Sequence, residues 1–258
     1  MLKLQNIYFE LDKKSYSWNK ILNFQKAYSK NFNPEPITNN RKILFNNLNL
    51  EVGYGEFVTI IGSNGAGKTS LLKLIKGDLT QDSGTIEIEG KNFNSLSKKD
   101  ISKNISWVMQ DPKNGTIQEM SIFENMLLYE NRGKNFPFKF SYNQNRKQKL
   151  QNILNSLKME FASNIDTLVS NLSGGQRQAL SVVMATLTKS KLLLLDEITA
   201  ALDPETTDIV MDKAYNIIKS QDLSAIMITH NIQHAQKYSD RVLRLQNGVF
   251  EDITNHAV

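Results

Sequence analysis

The sequence predicts an α/β fold, a mostly parallel sheet flanked by helices with a helical region inserted into its middle. Three observations predict it. Short continuous apolar runs at 57–61, 192–195 and 225–229 read as strands buried on both faces, as in a parallel sheet. Each run gives way to a loop and then to apolar spacing of helical period. Between the first and second runs lies a long stretch dominated by helical spacing, which places a subdomain inside the alternating core.

In chain order, residues 2–7 alternate weakly as a first strand, and 10–31 has no clean period despite Tyr16, Trp18, Phe24 and Tyr28. Residues 43–52 read as a strand, with Gly53-Tyr54-Gly55 turning into the buried run 57–61. Gly62 breaks that run, and Leu71, Leu72 and Ile75 give 69–76 a helical face. Residues 85–89 alternate as an edge strand, and 105–109 is strand-like. Ser121 followed by Glu124 forms a capping box opening a helix over 122–129. Leu150, Ile153, Leu154 and Leu157 share one face of a helix over 144–158, and 176–187 is a further apolar helix. The strand–helix series then returns at 192–195, 205–218, 225–229, 232–237 and 242–245, and Asn247-Gly248 makes a hairpin into 249–253.

Composition narrows the classes of function. The 258 residues suit one large domain or one domain with an insertion. The absence of cysteine excludes disulfides, thiol nucleophiles and Cys-ligated metals. A net charge of +5 is spread over scattered lysines without a concentrated basic tract, so no nucleic-acid partner is expected. The start, Met1-Leu2-Lys3-Leu4-Gln5, lacks the apolar core of a signal peptide. No run approaches the roughly 20 apolar residues that span a bilayer, so a role in a membrane process is expected from the cytoplasmic side.

Three motifs carry chemistry. Gly62-Ser63-Asn64-Gly65-Ala66-Gly67-Lys68-Thr69 satisfies the phosphate-loop pattern between a strand and a helix. Its glycines let backbone N–H groups wrap a phosphate, with the helix N-terminus behind them. Lys68 would neutralise the β- and γ-phosphates, and the Thr69 hydroxyl would ligate Mg²⁺. The run 192–195 ends in Asp196-Glu197, two adjacent acids whose side chains diverge. Asp196 would hold Mg²⁺, and Glu197 would act as general base on the attacking water. In Leu172-Ser173-Gly174-Gly175-Gln176, Ser173 is a natural helix N-cap. Two glycines at a helix start imply a close backbone approach, and an anion would be favoured there.

In this order and spacing the three motifs resemble the nucleotide-binding subunits of ATP-binding-cassette (ABC) transporters, over nearly the whole chain. The resemblance implies a RecA-like P-loop NTPase core with an antiparallel β edge and an inserted helical subdomain. It places one ATPase domain over 1–258, with the core at about 1–110 and 188–258 and the helical signature subdomain at about 111–187. It also marks about 9–31 as an insertion atypical of the family. Further residues take family roles by resemblance. Gln110 matches the glutamine that ligates Mg²⁺ and senses the membrane partner. His230 matches the switch histidine at the γ-phosphate. Thr199-Ala200-Ala201-Leu202-Asp203 matches the loop that crosses the dimer interface. Ser70, after Thr69, completes the phosphate-binding set. Phe32, 30 residues ahead of Gly62, is the expected adenine-stacking aromatic, with Tyr28 as the runner-up.

The resemblance implies a cycle in which two copies bind Mg-ATP head to tail. Ser173, Gly174, Gly175 and Gln176 of each would cover the other's nucleotide. A transmembrane permease would dock near 111–130, and a substrate-binding protein would complete the system. Gln176 follows Lys68 by only 108 residues, which leaves no room for the long coiled coil of chromosome-maintenance relatives. One cassette in the chain also sets it apart from two-cassette translation factors. Phe32-Asn33-Pro34, Gln110-Asp111-Pro112-Lys113-Asn114-Gly115-Thr116 and Met120-Ser121-Ile122-Phe123-Glu124-Asn125 are similar to the ATPases of bacterial tryptophan- or tyrosine-type importers. The rival expectation is a cassette that regulates or scaffolds a membrane complex without moving a solute.

Overall fold

A computed structural model describes residues 1–12, 41–132, 143–188 and 190–255. Two sheets form the frame. In the first, β1 (Leu2–Asp12), β2 (Arg41–Val52), β4 (Ser83–Ile88) and β5 (Lys91–Asn92) lie antiparallel in the order β2-β1-β4-β5. The second comprises β3 (Phe57–Ile61), β6 (Ile105–Val108), β7 (Leu192–Asp196), β8 (Ser224–Ile228), β9 (Arg241–Gln246) and β10 (Val249–Asp252). Its order is β10-β9-β3-β8-β7-β6, parallel except for the β9–β10 hairpin.

Strands β3, β7 and β8 are buried along their whole length, as their apolar runs require. Alternate side chains therefore enter different cores. Leu193, Leu195, Ala225 and Met227 pack against the helical region, whereas Leu192, Leu194, Ile226 and Ile228 pack toward the antiparallel sheet. Among the described helices are α1 (Lys68–Lys76), α2 (Lys98–Asn104), α3 (Ile122–Glu130), α4 (Gln144–Ser156), α5 (Gly174–Thr186), α6 (Pro204–Ser220) and α7 (Ile232–Tyr238). Helices α3, α4 and α5 follow one another between β6 and β7, as the helical middle of the sequence predicts. The capping box at the start of α3 forms as expected: Ser121 Oγ accepts from the Glu124 N–H, and the Glu124 carboxylate accepts from the Ser121 N–H.

Three expectations are corrected. The first strand does not stop at residue 7 but runs to Asp12, which pairs with Arg41 of β2. Residues 9–12 of the expected insertion thus belong to the sheet, and the remainder of it lies outside the described residues. The strand at 85–89 is not an edge, because β4 sits between β1 and the two-residue β5. Helix α2, capped by Ser97, is present where no element was expected. Among the described residues no helix is long and apolar enough to cross a membrane.

Candidate active site

Strands β3, β6, β7 and β8 run parallel, so the residues just past their carboxyl ends gather on one edge of the sheet. The phosphate loop follows β3, Gln110 follows β6, Asp196 ends β7, and His230 follows β8. Topology therefore brings together groups far apart in sequence.

The loop 62–67 delivers a helix whose first N–H groups lack a side-chain cap. Its N-cap is Gly67, in the left-handed region at φ +103°. Left-handed backbone favours glycine, and space demands it too, since a Cβ there would sit 3.0 Å from the Phe45 ring. Uncapped N–H groups at a helix start are an anion site in waiting. Lys68 is buried, and its ammonium donates to the loop's own carbonyls, to Gly62 at 2.7 Å and to Ser63 at 3.1 Å. Burial holds it below the usual lysine range, against the opposing pull of Glu197 and Asp196.

The two acids sit in different surroundings. Asp196 is buried, and desolvation together with neighbouring Glu197 pushes its carboxyl up to about 6 despite Lys73 and Lys68. Glu197 is half-buried and sits at φ +48°, a left-handed conformation uncommon outside glycine and costly for a long side chain. That backbone turn, secured by the Glu197 N–H donating to the Ile228 carbonyl at 3.0 Å, aims the carboxylate across the strand ends. Its Oε1 lies 2.8 Å from His230 Nε2. Such local strain concentrates at functional sites.

A cleft of about 330 Å³ joins Asn64, Gly65, Gly67, Lys68, Thr69, Ser70 and Glu197 to Leu11, Lys42 and Leu44 at its other end. Sequence reasoning missed these last three. Their signal was the length of β1, which carries Leu11 alongside the loop. Lys42 donates to the Gly65 carbonyl at 3.1 Å. Phe32 and Tyr28 lie outside the described residues. Gln110 is exposed and is not among the residues lining this cleft.

The glycine-rich pentapeptide lies elsewhere. Ser173 caps α5 in a reciprocal box with Gln176, whose amide also donates to Glu160 at 3.2 Å. Gly175 is needed within the chain, because a Cβ there would lie 2.0 Å from Thr206 Cγ2 of α6. Close approach of an anion is therefore not the sole reason for two glycines. Gly174 is exposed, and a Cβ on it would find its nearest neighbour, Leu202, at 3.9 Å. Asp203 caps α6 by accepting from the Thr206 N–H at 2.9 Å.

The family model for ABC transporters matches residues 45–200, which include the phosphate loop, the pentapeptide and the acidic pair. The chain belongs to the ABC transporter family. It is 39% identical over 226 residues to a tyrosine transport ATP-binding protein of Clostridioides difficile strain R20291, covering 86% of this chain and 88% of that one. An energy-coupling factor transporter ATP-binding protein of Streptococcus mutans is 32% identical over 214 residues, with 83% and 72% covered. In fold this ABC ATPase is similar to an ATP-binding cassette solved as a dimer in a post-hydrolysis state with ADP and phosphate. That likeness has a TM-score of 0.75 at 22% identity and covers 97% of both chains. The family's α/β cassette, with its antiparallel edge sheet and inserted helices, is the architecture described above.

Proposed function

We propose that this ABC ATPase binds and hydrolyses ATP as the motor subunit of an importer, coupling closure of a two-copy nucleotide sandwich to uptake of an aromatic amino acid. The observation that carries the catalytic reading is the Glu197–His230 pair, 2.8 Å apart, with Glu197 among the residues that line the phosphate-loop cleft. The loop N–H groups and Lys68 bind the β- and γ-phosphates, and Lys68 leaves its carbonyl partners to do so. The adenine would then reach toward Leu11 and Leu44, which line the other end of the cleft. Glu197 accepts the proton of the attacking water, and His230 orients that water and the γ-phosphate. The held backbone of Glu197 pre-sets the carboxylate, so little reorganisation accompanies the reaction.

Asp196 and the Thr69 hydroxyl suit Mg²⁺, which is commonly held by one or two carboxylates together with substrate phosphates. The buried Asp196 carboxyl, pushed up to about 6, is the kind of group a divalent cation restores to the ionised state. When bound, Mg²⁺ offsets the negative charge of the β- and γ-phosphates. Gln110, which follows β6, would complete this set as a further oxygen ligand.

The pentapeptide has no nucleotide of its own within reach of the cleft-lining residues, which supports a head-to-tail partner. Exposed Ser173 and Gly174 then face the second copy's γ-phosphate, and Asp203 and its loop lie at the junction. The core spans about 1–110 and 188–258, and the helical subdomain about 111–187. Exposed Ile117 and Leu128 support docking of a permease near 111–130. The motor works on the cytoplasmic face of the membrane, beneath a permease fed by a substrate-binding protein. The 39% identity to a tyrosine transport ATP-binding protein supports the substrate class.

Replacing Glu197 by Gln tests the chemistry. The variant should bind ATP, dimerise more stably and hydrolyse at least a hundredfold more slowly; hydrolysis at the parent rate refutes the assignment. Reconstitution with the permease tests transport, since a tyrosine- or tryptophan-loaded binding protein should stimulate the ATPase. A stable membrane complex with unresponsive activity would sink the import reading.

A further inference from the structure

His230 stands just ahead of α7, a helix of seven residues. Two turns are too few to be stable alone, so tertiary contacts set where this helix and its leading residues lie. One side is apolar, with Ala235 and Ile232 packed beside Ile61, Val242 and Ile253. The other side is polar and faces α6. His234 Nε2 lies 3.1 Å from Asp208 Oδ1. One turn further along both helices, Tyr238 donates to Asp212 at 2.6 Å, and Lys237 reaches the same carboxylate at 3.2 Å.

Spacing of four residues on each helix, 208 and 212 against 234 and 238, makes this a two-rung ladder between adjacent helix faces. Its upper rung is unlike the lower one. His234 is buried and lines the same cavity of about 390 Å³ as Glu197, His230 and Asp208. Its Nδ1 has no hydrogen-bond partner, so Nε2 is the nitrogen through which the structure holds the ring. The backbone then carries that fixation to the site. The His234 N–H donates to Asn231 Oδ1 at 3.0 Å, and the Asn231 N–H donates to Thr229 Oγ1 at 3.0 Å. His230 lies between Thr229 and Asn231 within this cap, with its ring against Glu197.

We propose that Asp208 and His234 are positioning residues for hydrolysis: the Asp208–His234 contact fixes the first turn of α7 and so sets His230 against Glu197. The proposal rests on the reading of Glu197 and His230 as the hydrolytic pair. It also links two surfaces. Helix α6 grows directly out of the 199–203 loop through the Asp203 cap, so a second copy seated on that loop would abut the same helix that carries Asp208.

Asp208 is the residue to change, because its side chain is 63% exposed and its loss leaves no cavity. Asp208→Ala should lower kcat for Mg-ATP three- to fivefold, the modest effect expected of a contact with one solvent-exposed partner. KM should stay within twofold and Tm within about 2 °C, as expected of a surface change. Asp208→Asn, whose amide oxygen still accepts from the ring N–H, should restore most of the rate. Amide hydrogen exchange at 229–232 should accelerate in the alanine variant and not in the asparagine one. Unchanged kcat and exchange in Asp208→Ala overturn the proposal. Equal losses in both variants with a fall in Tm also overturn it, in favour of general stability. A parent protein without ATPase activity would defeat the hydrolytic reading instead, and the exchange rates would still decide whether Asp208 holds the 229–232 segment.

Discussion

Replacing Asp196 with asparagine should make the nucleotide-free protein more stable while removing its Mg-ATP response. The carboxyl is buried at the end of a central strand, and its folded-state value of about 6 stands above the 3.8 of an exposed aspartate. Between those values the folded protein binds more protons than the unfolded chain, so stability falls as pH rises through about 6. At pH 7.5 the folded state carries the full cost of an ionised buried acid. A shift of roughly two units corresponds to about 3 kcal/mol, at 1.36 kcal/mol per unit. Partial screening of the carboxyl by solvent leaves about 1–2 kcal/mol. For a domain of this size that raises Tm by roughly 3–6 °C. Thermal unfolding of both proteins at pH 7.5 and pH 4, with and without Mg-ATP, gives the comparison. The variant's advantage should be present at pH 7.5, nearly vanish at pH 4, and reverse when the parent alone gains from Mg-ATP. An asparagine variant no more stable than the parent at pH 7.5, or a pH-independent gap, would refute the reasoning.

Two packing predictions accompany it. Gly175→Ala places a methyl group against Thr206 Cγ2 and should cost about 1–3 kcal/mol, and adding Thr206→Ser should recover most of that in a double-mutant cycle read by thermal melts. If the serine variant gives no relief, the clash is not what fixes glycine at 175. Asn125 is buried and fastens the turn before α3: its Oδ1 accepts from the Ile117 N–H at 2.8 Å, and its Nδ2 donates to the carbonyls of Ile117 at 2.9 Å and Ser121 at 3.0 Å. Asn125→Ala should therefore lose about 2–4 kcal/mol. Its Tm should fall by at least 4 °C, and a change under 1 °C would show that the turn holds without it.

Much of the fold was legible because buried parallel strands announce themselves by unbroken apolar runs. The run 57–61 and the helix start after Ser121 match the structure residue for residue. The antiparallel sheet was read less well, for a definable reason. Asn6 and Asn47 adopt positive φ, and the β1–β2 register shifts between Leu4 and Ile7. Burial accordingly passes from Leu2 and Leu4 to Ile7 and Phe9, which breaks the two-residue period and hides the strand's continuation to Leu11. The same break hid one end of the cleft. Helix α2 had a visible start in Ser97 and Asp100, but Ile101 is its one buried residue, so it presents no apolar period to read. At the site, the motifs supplied the residue types, whereas the 2.8 Å pairing of Glu197 with His230 needed strands β7 and β8 to lie side by side. The Ser173 cap was legible, whereas the contacts of Gln176 with Glu160 and of Gly175 with Thr206 involve partners that no motif marks.

The pairing of Asp12 with Arg41 has a consequence for how the chain tolerates change. These two positions are cross-strand neighbours, so the sheet's register is settled on both sides of the 13–40 stretch, whatever that stretch contains. A two-residue hairpin turn could join the same two ends. Relative to such a turn, a flexible loop of 28 residues would cost only about 2 kcal/mol of chain entropy to close, because that cost grows with the logarithm of length. By chain entropy alone, a change of length between these two paired ends is therefore inexpensive. Any added length would enter one residue beyond Asp12, next to Leu11 at one end of the cleft that the phosphate loop lines.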